Sequence, residues 1–264
     1  GPKYKAFEQI VFTKQPELIH PLSGAKLTLT PLADQVGVAE IKAVSLDHFD
    51  RLIQDDPRLS FLAFWRFGPE LGRETELGAL WPMLPADSRV PDHSIWSHVD
   101  TVAAIHTALV GDENGPDQPA LLAMSFGPVQ GFISQARSTS DLWAGSHLLS
   151  SLVWEAMKSV VEKTGPDAVL FPALRGVPAV DRWLVETGGA AFRTLCNDID
   201  AELLKDRTDT NPLFAASLPN KFVAIVPSRQ AKSLAEGAIA AARAQAKAWT
   251  LEAAQAVFDA AGAN

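Results

Sequence analysis

Gly127, Gln130, Gly131 and Arg137 sit close together in a polar loop. It follows an apolar run, Leu121 to Phe126, and precedes a long amphipathic stretch. A strand that feeds a helix through a glycine-containing loop is a recurrent way to bring backbone N–H groups up to a phosphate. Gly127 and Gly131 allow close backbone approach. Gln130 offers both donors and an acceptor. Arg137 is the loop's only cation, and its planar fork donates two parallel hydrogen bonds to a phosphate. The spacing matches neither GxGxxG nor GxxxxGK[ST], so it does not by itself specify a nucleotide loop. One turn into the helix, Gly145 and Ser146 are small, which suits tight packing against a sheet. Ser140 and Asp141 stand where the helix starts, so Asp141 is expected to cap it rather than hold a metal. Phe132 is expected in the core.

A second constellation is DHSIWSHVD, residues 92–100. Asp92, His93, His98 and Asp100 are the residue types of the HD metal phosphohydrolases. His93 and His98 are five apart, however, not the four that stacks two ligands on one helical face. The histidine–aspartate pairs read Asp-His, at 47–48 and 92–93, never His-Asp. No metal is therefore assigned. Asp92 or Ser94 is expected to cap the helix while the histidines make structural hydrogen bonds. His147 with Ser146 or Ser150 does not make a nucleophile, since no GxSxG elbow is present. Asn220, at a strand entrance after Pro219, is expected to satisfy turn backbone.

The elements that must position these residues follow from periodicity. Pro16, Pro21, Pro31 and Pro57 exclude long helices up to about residue 60, except across 33–55. KLTLT alternates, which predicts a short strand. Residues 61–91 read as loop-rich, with Phe61, Phe64, Trp65, Phe67 and Trp81 as interface-plugging bulk. Ile95, Val99, Val102, Ile105 and Leu109 recur along one helical stripe. GDENGPDQP, 111–119, reads as a linker, which divides the chain into domains 1–115 and 116–264. After it come a buried strand at about 120–127, a helix at 140–163 and a strand at 168–171. Gly188-Gly189 breaks the chain before a helix at 190–206. A strand from Phe222 to Val226 then leads into an Ala-rich helix at 230–260. These elements by themselves give an α/β open sheet.

Composition narrows the class. The chain has 264 residues, 47% of them hydrophobic and 20% charged, the balance of a globular protein. No apolar run approaches a bilayer span, and no segment has signal-peptide form. The single cysteine, Cys196, excludes an internal disulfide framework and a cysteine zinc site. A reducing, cytoplasmic setting is the expectation. A net charge of −8 argues against holding nucleic acid by bulk electrostatics. Lys232, Arg243 and Lys247 share one face of the last helix with Glu236, the pattern of a solvated surface. Gly1-Pro2 reads as the remnant of a cleaved tag.

The stretch from Gly127 to Leu152, GPVQxFIxxARxTxDLWAGSxLLSxL, closely resembles the first palm domain of the large subunit of type III-B CRISPR effector complexes, the Cmr type. HPLSG (His20 to Gly24), LPADSRVPDHSIWSHVDTVAAI (Leu84 to Ile105), FPALRGVPAVDRWL (Phe171 to Leu184) and SLPNKFVAIVP (Ser217 to Pro227) resemble the same family in the same order. The resemblance implies an internal fragment. It would comprise the end of a mainly helical HD-like region and a ferredoxin-like palm, as in nucleotidyl cyclases and polymerases, lacking its last strand. It also implies a parent that makes cyclic oligoadenylates from ATP with Mg²⁺ or Mn²⁺ on target-RNA recognition. The implied partners are the other complex subunits, guide RNA, target RNA and a second palm domain of the same parent. In the family the catalytic carboxylates lie on a Gly-Gly-Asp-Asp turn in that second palm. Here the only adjacent glycine pair, Gly188-Gly189, is followed by Ala190-Ala191. No catalytic residue is therefore assigned. Gly127, Gln130, Arg137 and Ser146 are expected to form the non-catalytic half of a nucleotide site. The alternative is a structural platform that docks the neighbouring subunit and the guide–target duplex.

Overall fold

A computed structural model of the chain describes residues 17–19, 24, 26–28, 56–71, 78–84, 86, 93–111, 114–199 and 215–262. The range 33–55, where the prolines leave room for a helix, Asp92 and the end of the 190–206 helix lie outside them. The chain forms two compact units, Gly1–Val99 and Asp100–Asn264.

In the first unit, β1 (Glu17–Ile19) pairs antiparallel with β2 (Lys26–Thr28), the strand that the KLTLT alternation predicts. Helix α1 covers Pro57–Leu71, so the loop-rich reading of 61–91 is wrong over its first part. The missed signal was the cap: Asp56 Oδ1 accepts the N–H groups of Arg58 and Leu59 at 2.9 and 3.1 Å. Pro69 is confined to the last turn, where the helix is ending. Trp65, Phe67 and Trp81 are buried and only Phe61 of the aromatic set is exposed. These aromatics build this unit's own core instead of offering an open docking face. The Trp81 indole N–H donates to Gly68 O at 2.8 Å, which satisfies it inside that core. Beyond a short 3₁₀ turn at Gly78–Met83, helix α2 begins at Ile95 and runs to Val110.

The second unit is built on an antiparallel sheet of β3 (Pro119–Ser125), β4 (Val169–Phe171) and β5 (Lys221–Pro227), in the order β3–β5–β4. All pairings in this sheet are antiparallel, which within the expected mixed class of an open sheet with helices makes the architecture α+β. Helices α3 (Val129–Ile133) and α4 (Thr139–Thr164) follow β3, α5 (Pro178–Ile199) follows β4, and α6 (Ala231–Ala260) follows β5. α5 starts at Pro178, earlier than expected, since proline suits a first helical position. Gly189, at φ 57° and ψ −139°, is non-helical and divides α5 into two helices, as the Gly188-Gly189 break predicts; the first of them, from Pro178, was not expected.

The core sits around β5. Phe222, Ala224 and Val226 alternate onto one face and are fully buried. α6 packs on α4 and on β3. α4 contributes Val153, Met157, Val160 and Val161 to the core, and α6 contributes Leu234 and Ala238. On the other face of β5, Ile225 clusters with Ala104 and Ala108 of α2.

Two expectations about burial fail here. The α2 stripe is exposed: Val102, Ile105 and Leu109 face outward while the alanines pack. Small side chains let the helix approach the sheet, and that decided its rotation. β3 is an edge strand, not a fully buried one; only Leu122 is buried and Leu121 is 70% exposed.

Candidate functional site

β3 and β5 end together at the start of the loop. Phe126 N–H donates to Asn220 O at 2.7 Å, and the Asn220 side-chain amide donates back to Phe126 O at 3.0 Å. Asn220 thus satisfies backbone, as its position at the strand entrance predicts, and it fixes the strand end from which the loop departs. A cis Gly127–Pro128 peptide follows, then the short helix α3.

The start of α4 is set by side-chain caps. Ser138 Oγ accepts the Asp141 N–H at 3.1 Å, and Asp141 Oδ2 accepts the Arg137 N–H at 3.0 Å. This is the reciprocal logic of a capping box, reaching one residue further back. Asp141 is a capping residue, as expected, though the N-cap itself is Ser138 and not Ser140. The Arg137 backbone is held by this cap while its side chain projects into solvent, without an ion pair among the described residues.

α3 packs against α4 at Gly145, where an added Cβ would meet Ile133 Cδ1 at 3.3 Å and Phe132 Cε1 at 3.4 Å. The small residue serves packing against α3, not against the sheet. Between the two helices lies a groove of about 440 Å³ walled by Phe132, Ile133, Ala144 and Leu148, with Arg137 and Asp141 at its polar end. Such a volume suits a small organic ligand. Phe132 is 45% exposed and forms a wall, contrary to the core position expected of it.

Of the residues that the sequence singles out, Arg137 lines this groove, and so does Gly145. Gln130 is exposed on α3 and Gly127 has open space where a Cβ would stand; neither belongs to the lining. The Ser146 hydroxyl donates to Leu142 O at 3.0 Å, so it is engaged with its own helix. Sequence reasoning missed Ile133 and Leu148. The spacing of Ala144, Gly145 and Leu148, which places them on one face of α4, was the signal available.

The histidine constellation resolves differently. His93 Nε2 and His98 Nδ1 lie 3.1 Å apart with stacked rings, and Ser94 Oγ accepts the Ser97 N–H to cap α2. Among the described residues no group of three or more His, Cys, Asp or Glu side chains is placed to hold a metal. In the second unit Asp100 is engaged by Arg175, both oxygens 2.5 Å from guanidinium nitrogens. Burial pushes the nearby Asp167 carboxyl up to about 6, with the Asp100 charge adding to the effect and Arg175 opposing it. Its Oδ1 is buried without a hydrogen-bond partner.

The segment 114–118, read as linker, is bound by Arg229. Its guanidinium donates to the carbonyls of Gly115 and Pro116, and its backbone N–H donates to Asp117 Oδ2 at 2.9 Å. That backbone bond is the main cause holding the Asp117 carboxyl below its usual value. On α6, the 3.9 Å separation of Lys232 and Glu236, both exposed, fits the solvated surface expected there. No helix among the described residues is long and apolar enough to cross a membrane.

The family model described as CRISPR-associated protein Cmr2, N-terminal, matches residues 121–254. The CRISPR system Cmr subunit Cmr2 of Pyrococcus furiosus is 37% identical over 153 residues, 58% of this chain and 14% of that protein. The corresponding subunit of Saccharolobus solfataricus is 37% identical over 91 residues, 34% of this chain and 9% of that protein. Among solved structures, a type III-B Cmr-beta complex bound to cognate target RNA contains a chain similar at TM-score 0.54 and 21% identity. The match covers 76% of this chain and 21% of that one. The apo state of Cmr-beta matches at TM-score 0.56 and 22% identity, over 81% and 22%. At such identities these two matches speak to the fold. The chain spans a small fraction of the length of each of these relatives.

Proposed function

The chain belongs to the Cmr2 N-terminal family of type III-B CRISPR systems, and from that premise we propose that it supplies the non-catalytic half of a nucleotide site in the large effector subunit. The observation that carries this reading is Arg137, whose backbone the α4 cap holds and which lines, with Asp141, the polar end of a ligand-sized groove with Phe132, Ile133, Ala144 and Leu148 among its walls. In this reading an adenine ring packs against Phe132 and Leu148 of the lining, and the guanidinium takes a phosphate. The order β3–β5–β4, with a helix after the first and third strands, supports a ferredoxin-like palm lacking its last strand. The first unit is then the end of an HD-like region.

In this reading the parent makes cyclic oligoadenylate from ATP, in the cytoplasm, when guide RNA within the complex recognises target RNA. The Mg²⁺ or Mn²⁺ ligands lie on the second palm. Phosphoryl transfer by two metals requires clustered carboxylates, and the sequence has no Gly-Gly-Asp-Asp turn. This chain's own residues bind and orient: Arg137 the phosphate, Phe132 and Leu148 the base, Gly145 the space between them. Gly127, Gln130 and Ser146 would act from the margin.

Calorimetric titration of the chain with ATP and Mg²⁺ tests the proposal. Saturable binding that disappears in Arg137→Ala is the expected result, and equal binding by the variant would falsify it. The second reading, a platform that docks a neighbouring subunit and the guide–target duplex, draws support from the exposed stripe Val102, Ile105 and Leu109. In that case Arg137→Ala leaves messenger synthesis by the reconstituted complex intact.

A further inference from the structure

The face of α4 turned away from the groove carries a second, unrelated arrangement. By helical spacing, Asp141, Gly145 and Leu148 share one side, while Trp143, His147, Ser150 and Trp154 share the opposite one. Trp143 is 57% exposed, yet its ring is not loose: it stacks on His147 with centroids 5.5 Å apart and planes 15° from parallel. A large exposed aromatic fixed in one orientation presents its outer face as a flat platform.

Below the stack is a small, partly enclosed cavity of about 20 Å³, lined by His147, Ser150, Ser151, Trp154 and Arg182 among others. That volume accepts one oxygen-sized group. Its polar lining is donor-rich. His147 Nδ1 is buried and has no protein partner. Ser150 Oγ already accepts the Leu218 N–H at 3.0 Å, which leaves its hydroxyl hydrogen to donate. Ser151 adds a hydroxyl and Arg182 a guanidinium, whose Nε also lies 3.9 Å from Glu186 Oε1, and no carboxylate lines the cavity itself. Hydroxyl, imidazole and guanidinium groups can all donate to an oxyanion, and the lining holds no carboxylate to repel one.

We propose that this face of α4 is a nucleotide subsite: a phosphate places one oxygen in the cavity among His147, Ser150, Ser151 and Arg182, while the attached base stacks on Trp143. Bases of every type stack on aromatic platforms, so the site is tolerant of sequence. With about one phosphate engaged, its salt dependence is shallow, and binding coexists with the net charge of −8. The phosphate comes from a free mononucleotide or from a single-stranded RNA.

Fluorescence anisotropy of a labelled octa-adenylate RNA on the 264-residue chain tests this, with unlabelled AMP as competitor. Trp143→Ala is expected to weaken binding about tenfold or more, the usual range for losing one stacked base. His147→Gln and Ser151→Ala are expected to weaken it less. Lys232→Ala, exposed on α6 and outside both sites, leaves this binding unchanged. Trp143→Ala made in an Arg137→Ala background, where the groove no longer takes phosphate, is expected to show the same loss, which separates this site from the groove. Trp143 is exposed, so its replacement keeps the fold, which circular dichroism verifies. Competition by AMP at concentrations comparable with the RNA assigns a mononucleotide, and its failure to compete assigns RNA. Absence of binding by both probes, or unaltered binding by a folded Trp143→Ala, overturns the proposal.

Discussion

Arg175 grips Asp100 with both prongs of its guanidinium, each 2.5 Å from a carboxylate oxygen, across 75 residues of chain. The pair fastens the turn after β4 onto α2, and each side chain is roughly four-fifths buried. Exposed pairs contribute little, whereas breaking a buried one strands a charge. Arg175→Ala is expected to destabilise the second unit by about 2 kcal/mol, between those limits. Urea denaturation with the double variant Arg175→Ala/Asp100→Ala checks it: the double variant should recover part of the loss, since neither charge is then left alone.

Asp167 gives the second unit a pH dependence opposite to the usual carboxylate. Its folded-state value is raised from 3.8 to about 6, so the folded chain holds the proton more tightly than the unfolded chain. The associated stability is complete below about 3.8, declines as pH rises, and is gone above about 6. Asp167→Asn should flatten that decline and, at pH 7 to 8, stabilise the protein by on the order of 2–3 kcal/mol. Thermal melts of parent and variant at pH 5 and pH 7.5 provide the comparison. A gap that does not widen at the higher pH would contradict the assignment.

Gly145 is tolerant of a methyl and intolerant of bulk. Alanine favours the helix by about 1 kcal/mol, which offsets the 3.3 Å contact with Ile133, so Gly145→Ala should be nearly neutral. Gly145→Leu should fill the groove and reduce ATP binding at least tenfold. Calorimetry, with circular dichroism to verify the fold, reads both.

Ser138 ties the loop to α4 through its cap. Ser138→Ala is expected to cost about 1 kcal/mol of stability, measured by urea denaturation. It should also loosen the Arg137 backbone and weaken phosphate binding more than that stability loss alone implies.

Gly111 takes φ +73°, and a Cβ there would collide with the Gly115 carbonyl oxygen. Gly111→Ala should therefore lower stability by at least about 1 kcal/mol, since the left-handed backbone is itself costly for alanine. A melting temperature equal to the parent's would show that the turn relaxes.

Much of this was legible from local pattern. The strands at 26–28, 169–171 and 221–227, the helices at 139–164 and 231–260, and Asp141 as a cap follow from alternation, helical period and turn chemistry. Family membership was legible too, because the stretch from Gly127 to Leu152 is long and specific. α1 was missed because Pro69 and clustered aromatics hid a helix whose Asp56 cap was the better guide.

The sequence by itself determined which segments are helix or strand, because hydrogen bonds between near neighbours and side-chain period are local properties. It did not determine which side of an element is buried. α2 turned Ala104 and Ala108 toward Ile225 and left its larger apolar residues outside, because backbone approach to β5 outweighed the size of the stripe. The site was settled the same way. Arg137 and Gly145 meet at one groove while Gly127, Gln130 and Ser146 do not. Only the packing of α3 against α4, a contact between elements, selects which side chains share a cavity.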